Sequence, residues 1–77
     1  MRQADIKRME RAVLELEKAI GNLDVVAENL WKDTGKTRYL RGRTYRSLVM
    51  EASLGITEER QNLNRLVEAI KESGYVE

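Results

Sequence analysis

The 77-residue chain carries 14 Lys and Arg residues against 13 Asp and Glu, for a net charge of +1, and it contains no Cys and no His. Without thiols or imidazoles, the chain excludes disulfides, thiolate or imidazole metal sites, and catalytic triads that need an imidazole base. No apolar run approaches the roughly 20 residues of a membrane helix, and the charged start MRQADIKRMERAV lacks the apolar core of a signal peptide, so we expect a cytoplasmic protein without a membrane partner.

The first predicted element is a helix over about residues 3–32. Its apolar residues recur every seven positions in two series, one starting at Ile6 and the other at Met9. Such an a/d heptad over four repeats is typical of a helix that packs in a coiled coil. The a and d positions are Ile6, Val13, Ile20, Ala27, Met9, Leu16, Leu23 and Leu30; Ala12, Ala19 and Val26 take the g positions, and Glu10, Glu17 and Asp24 the e positions.

A basic turn is predicted at about residues 33–37, where Gly35 supplies turn geometry. Gly35-Lys36-Thr37 matches the end of a phosphate-binding loop, but such a loop needs a glycine where this chain has Leu30. The acidic residues at the e positions of the first helix, Glu10, Glu17 and Asp24, stand seven apart, about 10 Å per step, which is too far to share a proton or a metal pair. We therefore expect no catalytic residue, metal site or cofactor.

The second predicted helix covers about residues 38–73 and ends at Gly74, a C-cap residue. One seam series is apolar throughout, and the series proposed beside it has Glu59 as a polar exception. Gly55 is unfavourable in a helix interior and Thr57 is a plausible N-cap. An alternative therefore splits this helix at 54–57, giving three helices at about 3–32, 38–54 and 58–73. The two proposed series are Val49, Ile56, Leu63 and Ile70, and Tyr45, Ala52, Glu59 and Leu66.

The two halves fit together as an antiparallel hairpin whose turn lies near residue 36. In the register that pairs the apolar residues, Asp24 comes level with Arg46 and Glu10 with Arg60, so opposite charges face each other beside the seam. The predicted fold class is all-α: a coiled-coil-like helical hairpin forming one domain over residues 1–77.

A lone hairpin would leave several large apolar side chains outside its seam. A chain this short buries little surface by itself, and without disulfides or metals its usual remaining source of stability is oligomerisation. We therefore expect a homodimer that forms a helical bundle. The predicted interface residues are Leu14, Val25, Met50 and Leu54.

Residues 32–46 hold six cations and one anion, whereas both flanking segments are acidic. Arginines interleaved with aromatic residues can contact phosphates and stack on unpaired bases, and they also suit an acidic protein surface. A solvated helix start without a partner is the third interpretation. The predicted binding residues are Trp31, Lys32, Lys36, Arg38, Tyr39, Arg41, Arg43 and Arg46.

These patterns predict a non-enzymatic protein–protein interaction or assembly module that acts as a regulator, inhibitor or adaptor of a larger macromolecule. The alternative is a nucleic-acid-binding protein that grips phosphates through residues 32–46. A helix-turn-helix interpretation of the second half is weaker, because its second helix would start with the acidic pair Glu58 and Glu59. No small-molecule substrate is expected.

Overall fold

The computed structural model describes residues 2–32 and 39–74. Helix α1 (Gln3–Lys32) leads to strands β1 (Tyr39–Leu40) and β2 (Arg43–Thr44), and helix α2 (Tyr45–Ser73) follows directly. The two helices pack against each other along their length, which confirms the predicted all-α helical hairpin. The predicted turn at 33–37, together with Lys36 and Arg38, lies outside the described residues.

Helix α1 has the predicted bounds and the predicted seam. Ile6 and Val13 are buried, and the other a and d positions are half-buried. Asp5 lies in the first turn and Lys32 in the last, so each charge complements the helix dipole.

A two-stranded antiparallel hairpin takes the place of the predicted first turns of the second helix. Tyr39 pairs with Thr44 and Leu40 with Arg43, so the loop between the strands has only two residues. Those residues, Arg41 and Gly42, both have positive φ angles, +54° and +80°, as a type I′ hairpin turn requires.

Helix α2 therefore begins at Tyr45 rather than at about residue 38. Thr44 has extended backbone angles, and its side-chain hydroxyl accepts a hydrogen bond from the Ser47 amide at 3.1 Å. This is the N-cap arrangement that satisfies an unpaired amide of the first turn. The sequence pattern missed it because the apolar series of the second half begin only at Tyr45 and Val49, so they do not fix where the helix starts.

Helix α2 runs without interruption through Gly55, so the described structure has two helices and not the three of the alternative prediction. Thr57 does not cap a new helix. Its hydroxyl donates instead to the Ser53 carbonyl one turn earlier, at 2.9 Å. The predicted C-cap is confirmed: Gly74 has φ +75°, and its amide donates to the Lys71 carbonyl at 3.3 Å.

The seam of α2 differs from the prediction by one residue in one of its two series. The apolar series that starts at Val49 faces α1, as predicted. The series beside it is Arg46, Ser53, Arg60 and Val67, which are half-buried or buried, while Tyr45, Ala52, Glu59 and Leu66 are exposed. Since a neighbouring seam residue can lie three or four positions away on a helix, the spacing alone allows both arrangements.

The cross-helix register is also displaced from the prediction by one heptad. Arg60 pairs with Glu17 rather than Glu10, with Nη1 and Oε1 3.0 Å apart. The Ser53 hydroxyl donates to Asp24 Oδ1 at 3.3 Å, where the prediction placed Arg46. The predicted pairs Asp24–Arg46 and Glu10–Arg60 are therefore wrong, because the turn region is extended by the β-hairpin.

The hairpin is long and thin. Its principal extents are 56 × 19 × 14 Å and its radius of gyration is 17.1 Å, against about 11.5 Å for a compact chain of this length. Among the described residues, the buried hydrophobic side chains are Ile6, Val13 and Val67. In the part of the chain that the structure covers, neither helix is long and apolar enough to cross a membrane.

Candidate functional site

One side of the seam carries a ladder of polar cross-helix contacts. On α1 the residues of the ladder occupy the e positions, which recur every seven residues. On α2 three of the four ladder residues are also seven apart. The described rungs are Trp31–Arg46, Asp24–Ser53, Glu17–Arg60 and Glu10–Lys71. The side of the hairpin that contains these residues is called the ladder face below.

These cross-helix contacts explain why two arginines are tolerated in the seam of α2. Arg46 and Arg60 are both half-buried, as expected when the aliphatic stem of an arginine covers apolar surface. Arg60 meets the Glu17 carboxylate, and the Arg46 guanidinium carbon lies 4.8 Å from the centroid of the Trp31 ring. Partly exposed ion pairs contribute about 0–1 kcal/mol each, so the ladder selects the register more than it stabilises the fold.

The predicted basic site divides into engaged and available cations. Lys32 pairs with Glu28 within α1, with Nζ 3.1 Å from Oε1. Arg43 pairs with Glu51, and its Nη2 donates to the Ser47 hydroxyl at 3.2 Å. Arg46 stacks on Trp31, and its buried Nε has no hydrogen-bond partner within the described structure.

Arg41 differs from these three cations. It occupies the first position of the β-turn with φ +54°, a left-handed conformation that non-glycine residues rarely adopt. It is exposed, and no carboxylate of the described residues lies within salt-bridge distance of it. The turn therefore places one exposed arginine in the two-residue loop of the β-hairpin, which is called the tip below.

Two predicted aromatic residues are exposed, one in the β-hairpin and one near the end of α1. Tyr39 lies at the start of β1, and Trp31 is 69% exposed although Arg46 lies over its ring. An arginine and exposed aromatic rings are the groups that can contact a phosphate and stack on a base.

The predicted interface residues are all exposed, but they do not form one patch at the seam. Leu14 and Val25 lie on the outer side of α1, at heptad positions b and f. Met50 and Leu54 lie beside Arg43 and Glu51, near the β-hairpin. By heptad position, Met50 lies on the ladder face, and Leu14, Val25 and Leu54 lie on the sides of the helices that point away from the seam. Charged residues separate these four side chains.

The other side of the seam is mostly apolar, and the prediction did not assign it to an interface. Glu10 contacts Lys71, and Glu17 lines one groove with Thr57, so the e positions of both helices share the ladder face. The g positions of an antiparallel pair then share the opposite side. This surface, called the open face below, comprises Ala12, Ala19, Val26, Tyr45, Ala52, Glu59 and Leu66.

The open face could have been recognised from the sequence only with the correct seam. The g series of α1 was identified as an apolar flank, but Tyr45, Ala52 and Leu66 were assigned to the seam itself. Moving the seam by one residue exposes that series and sets it beside the apolar flank of α1.

No group of three or more Asp or Glu side chains in the described residues is placed to hold a metal ion. The chemistry that the described side chains offer is apolar contact along the open face and charge contact at the tip. No protein-family model, no curated protein and no solved structure matches this chain.

Proposed function

We propose that this chain is a non-catalytic helical assembly module, which associates with itself and binds a larger protein as a regulator, inhibitor or adaptor. The observation that carries the proposal is the surface it leaves exposed. The chain has 6238 Å² of accessible surface, whereas a compact monomer of its mass exposes about 4,800 Å².

The exposed surface includes apolar groups that a stable monomer would bury. Large hydrophobic side chains such as Val26, Tyr45 and Leu66 remain 40–50% exposed beside the seam. Burial of such groups is worth about 25 cal/mol per Å² of apolar surface, so covering them supplies free energy that the hairpin alone lacks. Association is the simplest way to obtain it, since the chain has neither Cys nor His for a covalent or metal staple.

Self-association predicts a concentration-dependent mass and melting temperature. In sedimentation equilibrium we expect a mass above the 8.9 kDa of one chain at micromolar concentration. Mass action stabilises an associating fold by about 2.7 kcal/mol for a hundredfold excess over the dissociation constant, so the helical signal should melt at a clearly higher temperature in concentrated samples. A cooperative melt that is identical at 5 and 500 µM, with a mass of 8.9 kDa throughout, would contradict the proposal.

A second candidate function is the binding of single-stranded nucleic acid, whose phosphates would contact the tip of the β-hairpin. The specific observation in its favour is Arg41, an exposed arginine held in a left-handed conformation in the loop that begins two residues after exposed Tyr39. Against it, Lys32, Arg43 and Arg46 already have partners within the chain. We therefore rank it below assembly.

The tip can be tested by changing Arg41 to Asn. Asn tolerates the left-handed conformation and suits a type I′ turn, so the turn should remain while the charge is lost. If the tip binds nucleic acid, anisotropy with a labelled single-stranded oligonucleotide should show weaker binding and a log–log salt slope smaller by about 0.7. Arg65→Gln, on the exposed outer side of α2, is the matched charge control. Equal binding by wild type, Arg41→Asn and Arg65→Gln, or no binding at low salt, would remove this candidate.

A further inference from the structure

The two sides of the seam differ in how completely the chain covers them. The ladder face is bridged from α1 to α2 by the polar contacts of Glu10, Glu17, Asp24 and Trp31. Across the open face, no hydrogen bond or salt bridge joins the two helices in the described residues. The open face is therefore the unpartnered side of the seam.

The composition of the open face suits close contact with other helices. Its α1 positions are Ala12, Ala19 and Val26, and its α2 positions are Tyr45, Ala52, Glu59 and Leu66. Alanines allow helix backbones to approach closely, and the larger side chains supply apolar area to bury. Glu59 is the only charged residue of the seven.

We propose that a second copy of this chain packs on the open face, so that two hairpins form a two-fold symmetric four-helix bundle. This rests on the proposed assembly function and names its partner and its surface. An isologous dimer uses the same patch on both copies, so the patch must be able to face itself. An elongated and mostly apolar face meets that requirement, whereas the charged groups of the ladder face already have partners within one copy.

The area that association would bury agrees with this occupant. Each copy exposes 6238 Å², about 1,400 Å² more than a compact protein of its mass. Two copies that cover this excess bury about 2,800 Å² together, within the range of obligate homodimer interfaces.

The lengths of the helices also agree with a second copy of the chain as the partner. Helices α1 and α2 have 30 and 29 residues, and the open face runs from Ala12 to Val26 on α1 and from Tyr45 to Leu66 on α2, with Asp5 and Ser73 at the next positions of the two series. A second hairpin has the same length and two helices, and it covers the face from end to end.

The proposal replaces the interface predicted from the sequence and can be tested directly against it. Val25 and Val26 are adjacent valines, 56% and 43% exposed, but only Val26 lies on the open face. Leu54 and Leu66 form a second matched pair, 65% and 50% exposed, and only Leu66 lies on the open face. Each pair places the same chemical change on the two competing surfaces.

We expect Val26→Lys and Leu66→Lys each to raise the dissociation constant of the dimer about 100-fold, because each buries an unpaired charge in an apolar interface. Val25→Lys and Leu54→Lys should leave it within a factor of about three, as expected for exposed sites away from the interface. Sedimentation equilibrium gives the dissociation constants, and far-UV circular dichroism reports the helical content of each variant. If Val26→Lys or Leu66→Lys also loses its helical content, the thiol variants described next decide between the two faces.

A milder measurement avoids any effect of the lysines on folding. The chain has no native Cys, so Val26→Cys and Val25→Cys each carry a single thiol. As protein concentration rises through the dissociation constant, maleimide labelling should slow at least tenfold for Val26→Cys and remain unchanged for Val25→Cys. Equal rates for the two thiols at all concentrations would overturn the proposed face.

The outcomes separate this inference from the proposed function. If the wild-type chain is a monomer throughout, both fail. If the wild type associates but Val25→Lys and Leu54→Lys disrupt it while Val26→Lys and Leu66→Lys do not, self-assembly stands. The open face is then wrong, and the interface predicted from the sequence is the correct one.

Discussion

Replacing Ile6 by Ala is expected to lower the free energy of unfolding by about 3 kcal/mol. Ile6 is 0% exposed and is the only fully buried large side chain of the described structure. Truncation of a buried Ile to Ala typically costs 2–5 kcal/mol, because the lost transfer free energy adds to the cost of the cavity. Such a loss is a large share of the few kcal/mol that a core of this size supplies.

The effect of Ile6→Ala should be measured by urea unfolding at one fixed protein concentration, followed by circular dichroism. Leu14→Ala is the control, since Leu14 is 58% exposed on the same helix and its truncation should change the unfolding free energy by less than about 0.5 kcal/mol. Similar losses for the two variants would show that the α1 seam is not the core in solution.

Replacing Gly21 and Gly55 together by Ala is expected to stabilise the fold by about 2 kcal/mol. Both glycines lie inside continuous helices, and a Cβ built at either position meets nothing within 4 Å. Ala is favoured over Gly in a helix interior by about 1 kcal/mol, because the glycine backbone loses more conformational entropy on folding. In a domain of this size, 2 kcal/mol corresponds to a rise in melting temperature of roughly 8–16 °C.

Gly42 provides the opposite control for this prediction. Its φ of +80° is accessible to glycine but strained for alanine, although the surrounding space is open. Gly42→Ala should therefore lower the melting temperature, while Gly21→Ala and Gly55→Ala each raise it. A loss of stability in Gly55→Ala alone would mean that the chain bends at Gly55, as in the three-helix alternative.

The candidate site could be predicted only in part, because ion pairs and turn geometry decide which of its cations are available. The basic segment can be recognised from its composition, but its ion pairs cannot. Lys32 and Arg43 are therefore predicted to be available, whereas in the structure they contact Glu28 and Glu51. The positive φ of Arg41 was not expected either, because its Arg-Gly turn lacks the usual Asn or Asp before the glycine.

The predicted interface residues show a different limit. Leu14, Val25, Met50 and Leu54 are exposed, as expected for residues outside the seam. The heptad pattern shows which residues are exposed. To decide whether exposed residues of the two helices form one patch, one must also know on which side of the seam each of them lies. That depends on the partner helix, which the local pattern does not contain.

By itself, the sequence determined α1, its seam and the antiparallel pairing of the two halves, since a four-repeat apolar heptad allows only one buried stripe. It left open whether the second half forms one helix or two. Only the tertiary structure decided the seam of α2. From Val49, the next seam residue can be Ala52 three positions later or Ser53 four positions later, and both fit helical spacing. Packing against α1 favours Ser53 and Arg60, because Asp24 and Glu17 meet their polar groups at the seam edge, whereas the alternative would bury the Glu59 carboxylate without a partner.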